Sequence, residues 1–534
     1  MNYVILVTTL LFGVTFLAGV SNKYNLPFPI ILVLTGLLIS VIPGLPAITL
    51  RPEIVFLIFL PPLLYESAWK TNWHNFKKFK RPILLSAFVL VFFTTLMVGI
   101  AAHYFIPGIS WPLGFLLGAI VSPTDAVAAT SITKKLHLSP RIVTILEGES
   151  LVNDASGLVA YKYAISAVMA GNFIFWKAGL NFLIVIAGSI ATGLLIGYIA
   201  RVILKRICVD SVIQTTITFI IPFTSYLIAE ELEISGVLAV VCTGLYLSYN
   251  SESIITNKSR ITIYAVWDVI SFILNGLIFI LIGLQLKIVM KGITGYSVRE
   301  LIIYGLFVSL VVIICRFVFA VPAALLPRVL SKRIRETESF NRGNMWVFGF
   351  AGIRGVVSLA AALALPNLLP DGSPFPERDL IIYLTFCVIL TTLVLLGHNL
   401  PPIIRRLKLP AHSLVAEEYE TRSVILENTI THIGQNLSSV KEEFLTNLKR
   451  KYDTKYERIQ RTELPGDYFK NEKYTDAGNE VFNEYSKLEL DILSVERRWL
   501  LQLTREGKVS EEIVRKIERE LDLEETRLNM ELQG

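Results

Sequence analysis

Ionisable residues inside stretches that are otherwise apolar enough to cross a membrane concentrate in a few segments, among them Glu66, Asp125, Glu149, Asp154, Arg316 and Arg354. A charge at bilayer depth is expensive, so each is a functional candidate. Four acids and two arginines cannot pair one to one, and the surplus is acidic, which suits a cation site. The densest run is Glu147-Gly148-Glu149-Ser150-Leu151-Val152-Asn153-Asp154. Ser150 and Asp154 are four apart and share one helix face. Glu149 is rotated off that face and is better placed to meet a buried arginine, Arg316 or Arg354, than to share an ion. A small, hard cation takes oxygen ligands. Burial favours the protonated carboxyl, and a nearby cation favours the ionised one. Asp154 can therefore hold a proton or a cation, but not both.

Two breaks accompany these acids. Ser122-Pro123-Thr124-Asp125 interrupts one apolar stretch, where proline removes a donor and clashes with the preceding turn. Gly349 and Gly352-Ile353-Arg354-Gly355 interrupt another. Freed main-chain groups at membrane depth are tolerated only where they are buried or line a cavity. A plain proline kink is the alternative at the first break. Paired interruptions at matching positions in two halves point to a transporter's midplane site. Crossed breaks bring opposed helix-dipole ends together, and Asp125 and Arg354 have the charges to neutralise them.

The elements that must position these residues follow from hydropathy. The chain has 534 residues, 53% hydrophobic and 18% charged, with a mean hydropathy of +0.57. Soluble domains carry about 25% charged residues, so the composition predicts an all-α polytopic membrane protein. Thirteen spans are predicted: 3–21, 27–45, 52–68, 82–106, 112–132, 141–169, 176–205, 212–231, 234–250, 261–287, 300–326, 344–366 and 379–400. The first lacks a basic n-region and reads as a retained helix, not a signal peptide. The breaks fall in spans five and twelve, so the chain divides into two inverted six-helix repeats around span seven. Lys and Arg alternate between successive loops, 19 on one side against 6 on the other. That places the C-terminus in the cytoplasm and the N-terminus outside.

Residues 1–408 are thus a transmembrane domain and 409–534 a charged cytoplasmic tail. In the tail, Val514, Ile517, Leu521 and Leu528 keep a helical stripe, and Gly507 and Ser510 mark a stop and a restart before Glu511 and Glu512. The four cysteines are scattered and fit neither a disulfide framework nor a zinc site. No cofactor loop, catalytic triad or nucleic-acid motif is visible, which argues against an enzyme.

The run Gly148 to Ala155 resembles the Asn-Asp signature of the cation/proton antiporters that include prokaryotic and animal sodium/proton exchangers. Pro123-Thr124-Asp125, Leu60-Pro61-Pro62-Leu63-Leu64-Tyr65-Glu66 and Gly352-Ile353-Arg354-Gly355 resemble that family's motifs in the same order, over residues 1 to about 400. The resemblance implies a thirteen-helix fold in two inverted repeats, alternating access and a homodimer, with pH homeostasis as the role; the short loops and absence of targeting segments favour a prokaryotic plasma membrane. It implies Na+ held by Asp154, Ser150, Glu66 and the Thr124 main chain, with Asp125 assisting through water. It also implies a buried ion pair of Glu149 with Arg316 as first choice, and Asn153 holding the broken helices to the site. Asn153 resembles the electroneutral branch, exchanging one Na+ (or Li+) for one proton, with no cofactor. The rivals are a K+/H+ antiporter on the same machinery and a transport-dead ion or pH sensor. A channel lacks its filter sequence. Lys162, two turns beyond Asp154, departs from the pattern; it either snorkels outward or alters the site's field.

Overall fold

Long apolar runs with few interior breakers fold as helices, because in lipid every backbone polar group must be satisfied within the segment. The computed structural model describes residues 2–24, 28–41, 55–71, 73–125, 138, 140–170, 175–206, 210–255, 257–293, 295–330, 342–407, 414–436, 442–460, 479–506 and 508–533. Over these residues the chain is helical, with one isolated β-bridge between Leu368 and Pro374. In chain order the helices are α1 Asn2–Tyr24, α2 Phe28–Val41, α3 Leu60–Lys70, α4 Trp73–Lys78, α5 Lys80–Phe105, α6 Trp111–Val121 and α7 Pro140–Ala170. Then come α8 Phe175–Arg206, α9 Ser211–Glu231, α10 Gly236–Ile254, α11 Asn257–Gly292, α12 Val298–Leu330, α13 Arg342–Phe350, α14 Val356–Leu363 and α15 Arg378–Arg406. The tail supplies α16 Leu414–Asn436, α17 Glu442–Gln460, α18 Asn479–Arg505 and α19 Glu511–Gln533.

Six helices among the described residues are long and apolar enough to cross a bilayer: α5, α9, α15, Leu183–Arg206 of α8, Ser259–Gln285 of α11 and Val298–Ala323 of α12. Val7–Ser21, Phe28–Ser40 and Trp111–Val121 are apolar but shorter. The chain is therefore a multi-pass helical membrane protein. Three of the other predicted spans depart from a plain apolar helix. Spans five and twelve are broken, and α7 carries charges through its length. Residues 42–45, 52–54 and 126–132 of the predicted spans lie outside the described residues, as do Lys134, Lys135, Lys332, Arg333, Arg335 and Gly507. The lipid-facing side is visible on α12, where Ile302, Ile303, Leu306, Leu310, Ile314 and Val318 are all exposed at three- to four-residue spacing.

The chain forms two compact units. The first takes Met1–Val209, Ile213–Ile254 and Ala265–Pro410; the second takes Asp210–Val212, Ile255–Tyr264 and Ala411–Gly534. The second unit thus adds two short stretches of the membrane-helix ends to the predicted tail. Its core is two apolar clusters, one around Leu493, Leu500, Ile513 and Ile517, the other around Ile433, Phe444, Leu448 and Ile492.

Candidate functional site

α7 is one unbroken helix, buried from Gly148 to Val159. Against it lie the two breaks. α6 ends at Val121 and the chain is non-helical through Asp125; α13 ends at Phe350 and α14 begins at Val356. The breaks meet directly, with the Asp125 amide donating to the Ile353 carbonyl at 2.8 Å. Arg354, fully buried, donates from Nε to the Val121 carbonyl at 3.1 Å and from Nη1 to the Gly352 carbonyl, while its amide donates to Thr392 Oγ1 at 3.1 Å. Its guanidinium therefore sits at the carbonyl end of α6, the negative pole of that half-helix. The Asp125 carboxylate lies against Gly355, the N-cap of α14, at a positive pole. A Cβ on Gly355 would collide with that carboxylate, so the crossing requires glycine there.

Thr124 joins the first break to α7. Ser150 Oγ donates to the Thr124 carbonyl at 2.8 Å, and Asn153 Nδ2 donates to Thr124 Oγ1 at 2.7 Å. Thr124 Oγ1 in turn donates to Glu149 Oε1 at 3.3 Å. Glu149 is held from the other side by Arg316 of α12, whose Nη1 donates to Oε1 and Nη2 to Oε2 at 3.2 Å. Arg316 also donates from Nε to the Phe348 carbonyl at 3.1 Å and stacks 4.2 Å from that ring's centroid. Both side chains are 1% exposed, so the pair is a buried, neutralised unit. Of the two arginines the residue spacing left open as its partner, Arg316 meets Glu149, and Arg354 serves the helix crossing.

At the crossing is a small, partly open cavity. Thr124, Asp125, Ser150 and Asp154 line it, with Leu60, Leu63, Leu64 and Ser67 of α3, Asn275 of α11 and Val356 to Ser358 of α14. Among the described residues, none that lines it is basic. Two carboxylates of low exposure thus share a space with hydroxyl and carbonyl oxygens, and a bare charge there is costly. The chemistry this allows is reversible neutralisation by a proton or a small cation.

Two predicted positions lie elsewhere. Glu66 does not line the cavity, although its neighbours Leu63 and Ser67 do. Its carboxylate is ion-paired with Lys70 one turn along α3, as i,i+4 spacing favours. Lys162 is drawn away from Asp154: its ammonium donates to Glu230 Oε1 and Oε2 at 3.0 and 2.9 Å and to the Ile234 carbonyl at 3.2 Å.

The family profile described as sodium/hydrogen exchanger, transmembrane, matches residues 7–406. The chain belongs to the sodium/hydrogen exchanger family. This exchanger is 33% identical over 507 residues to the sodium, potassium, lithium and rubidium/H+ antiporter of Bacillus pumilus, covering 93% of this chain and 74% of that one. It is 29% identical over 436 residues to the Na+/H+ antiporter ApNhaP of Aphanothece halophytica, covering 80% of each. The sodium proton antiporter MjNhaP1 of Methanocaldococcus jannaschii has the same fold, with a TM-score of 0.59 at 21% identity, over 76% of this chain and 99% of that one. Three polar lining residues of the exchanger were missed by the search for charges: Ser67, Asn275 and Ser358. Asn275 was the one with a signal, an amide more than four turns inside an apolar helix.

Proposed function

We propose that this exchanger moves Na+ inward or outward against H+ by alternating access, one for one, with Asp154 as the shared carrier. The observation that supports it best is the cavity at the helix crossing, where Asp154 and Asp125 face hydroxyl and carbonyl oxygens and no basic residue among the described ones lines the wall. Na+ would take Asp154, Ser150 and the Thr124 main chain, with Asp125 acting through water; Glu66 would join only on leaving Lys70. Asn153, through Thr124, and the Glu149–Arg316 pair keep the broken helix in register with α7, and Arg354 keeps the crossing itself. Either ligand removes the charge that makes a bare Asp154 costly to carry through the membrane. The full reading is thirteen spans in two inverted repeats, a homodimer in lipid, a prokaryotic plasma-membrane location with the tail inside, a part in pH homeostasis, and no cofactor.

The test uses everted vesicles with an imposed pH gradient, adding Na+, Li+, K+ and Rb+ in turn. Na+ should collapse the gradient with wild type and not with Asp154→Asn. K+ is included because the Bacillus pumilus relative is named for it; collapse by K+ alone would replace Na+ with K+ as the cargo. No collapse with any ion would sink the antiport reading and leave a sensor.

A further inference from the structure

Leu63, Ser67 and Lys70 fall on one stripe of α3, four and three residues apart, and the first two line the cavity. Asp268 and Asn275 fall on one stripe of α11, seven apart, and Asn275 lines the same cavity. Just beyond the cavity the two stripes are joined, because Lys70 Nζ donates to Asp268 Oδ1 at 2.6 Å while also pairing with Glu66. The Lys70 and Glu66 side chains are 21% and 14% exposed, and Asp268 is 67% exposed. One monovalent ammonium is thus held by two carboxylates at the end of α3 that leads on to the basic residues Lys77 and Lys78 of α4 and Lys80 and Arg81 of α5.

Those carboxylates are the ligands that a monovalent cation approaching from that side would use. We propose that Lys70 is a tethered competitor for the transported cation: its ammonium closes on Glu66 at this mouth, and an arriving cation displaces it onto Asp268. The proposal rests on the cavity being the transport site. It assigns a role to Asp268, which then serves as the resting place of the displaced ammonium. It also makes Glu66 a ligand of passage on one side of the membrane, reached before Asp154.

The experiment measures the half-saturating Na+ concentration with Na+ offered to each face, in everted and in right-side-out vesicles. Removing the competitor should favour the cation, so Lys70→Gln should lower that concentration about threefold from the face that carries the basic residues of α4 and α5, and less from the other. Removing the resting place should do the reverse, so Asp268→Asn should raise it about threefold. Lys70→Arg keeps the charge and should stay between wild type and Lys70→Gln. A bridge that merely ties α3 to α11 would be weakened by both changes, and they would then shift transport in the same direction. Same-direction shifts, or no shift in either variant while wild type collapses the gradient, overturn the proposal. The exposed position of Asp268 keeps that arm readable even if Lys70→Gln lowers the amount of folded protein. A wild type that collapses no gradient would remove the antiport reading first, and this one with it.

Discussion

Glu149 and Asp154 are five residues apart on one helix, yet their surroundings assign them opposite work. Glu149 meets Arg316 with two hydrogen bonds and receives a third from Thr124, while Asp154 opens onto the cavity with Asp125. Breaking a buried pair by removing one partner leaves an uncompensated charge, at a cost of about 3–5 kcal/mol, whereas replacing both is often near neutral. Glu149→Gln or Arg316→Met should each lower the thermal midpoint of the detergent-solubilised protein by a margin of that order. The double variant should recover most of the loss. Equal losses in the three variants would mean that the pair is not what the fold depends on. The i,i+4 logic was enough to pair Ser150 with Asp154 and to turn Glu149 away. It did not decide between Arg316 and Arg354, because that choice is a long-range contact. For Glu66 the same spacing logic applies: Lys70 stands four residues on, and the two pair.

At the scale of elements, both breaks were legible because proline and glycine are local signals. Their meeting was not, since the 2.8 Å bond from the Asp125 amide to the Ile353 carbonyl joins positions far apart in the chain. The charges at the dipole ends were a partial guide, and Arg354 and Asp125 do stand at the negative pole of α6 and the positive pole of α14. Counting spans by hydropathy was weaker where function intrudes. A helix that carries Glu149, Asp154 and Lys162 is less apolar than a plain span, and one broken at its middle is divided into shorter pieces. The crossing makes a sharp prediction. Gly355→Ala puts a methyl group into the Asp125 carboxylate, so Na+-driven gradient collapse should fall more than tenfold with the protein still in the membrane. Gly13→Ala, where nothing lies within 4 Å, is the control and should leave transport as it is. Normal transport by Gly355→Ala would show that the close approach of the two breaks is dispensable.

At the scale of the whole molecule, charge is segregated: the membrane unit is sparing with it, and the tail unit uses it inside its own core. Arg497 pairs with Asp522 at 2.8 Å, and Lys451 with Glu489 at 2.7 Å. Glu496 of α18 is less well served. It is 6% exposed, and its Oε1 has no hydrogen-bond partner among the described residues. Facing it are Lys451, Tyr452 and Lys455 of α17 and Glu524 of α19. Burial raises its carboxyl above the ordinary range; the lysines and the Tyr452 hydroxyl pull it down and Glu524 adds to the rise. The folded tail therefore keeps a proton that the unfolded chain would release. Between the ordinary carboxylate value and the raised one, stability falls as pH climbs, and above the raised value the loss is complete. Glu496→Gln removes the titrating group while keeping its shape. It should flatten that slope and strengthen the bundle by about 1 kcal/mol at neutral pH. Hydrogen exchange of the α18 amides in the full-length protein, corrected for the intrinsic pH dependence of exchange, reads both effects. Protection that falls equally steeply with pH in wild type and Glu496→Gln would assign the slope to another group in the tail.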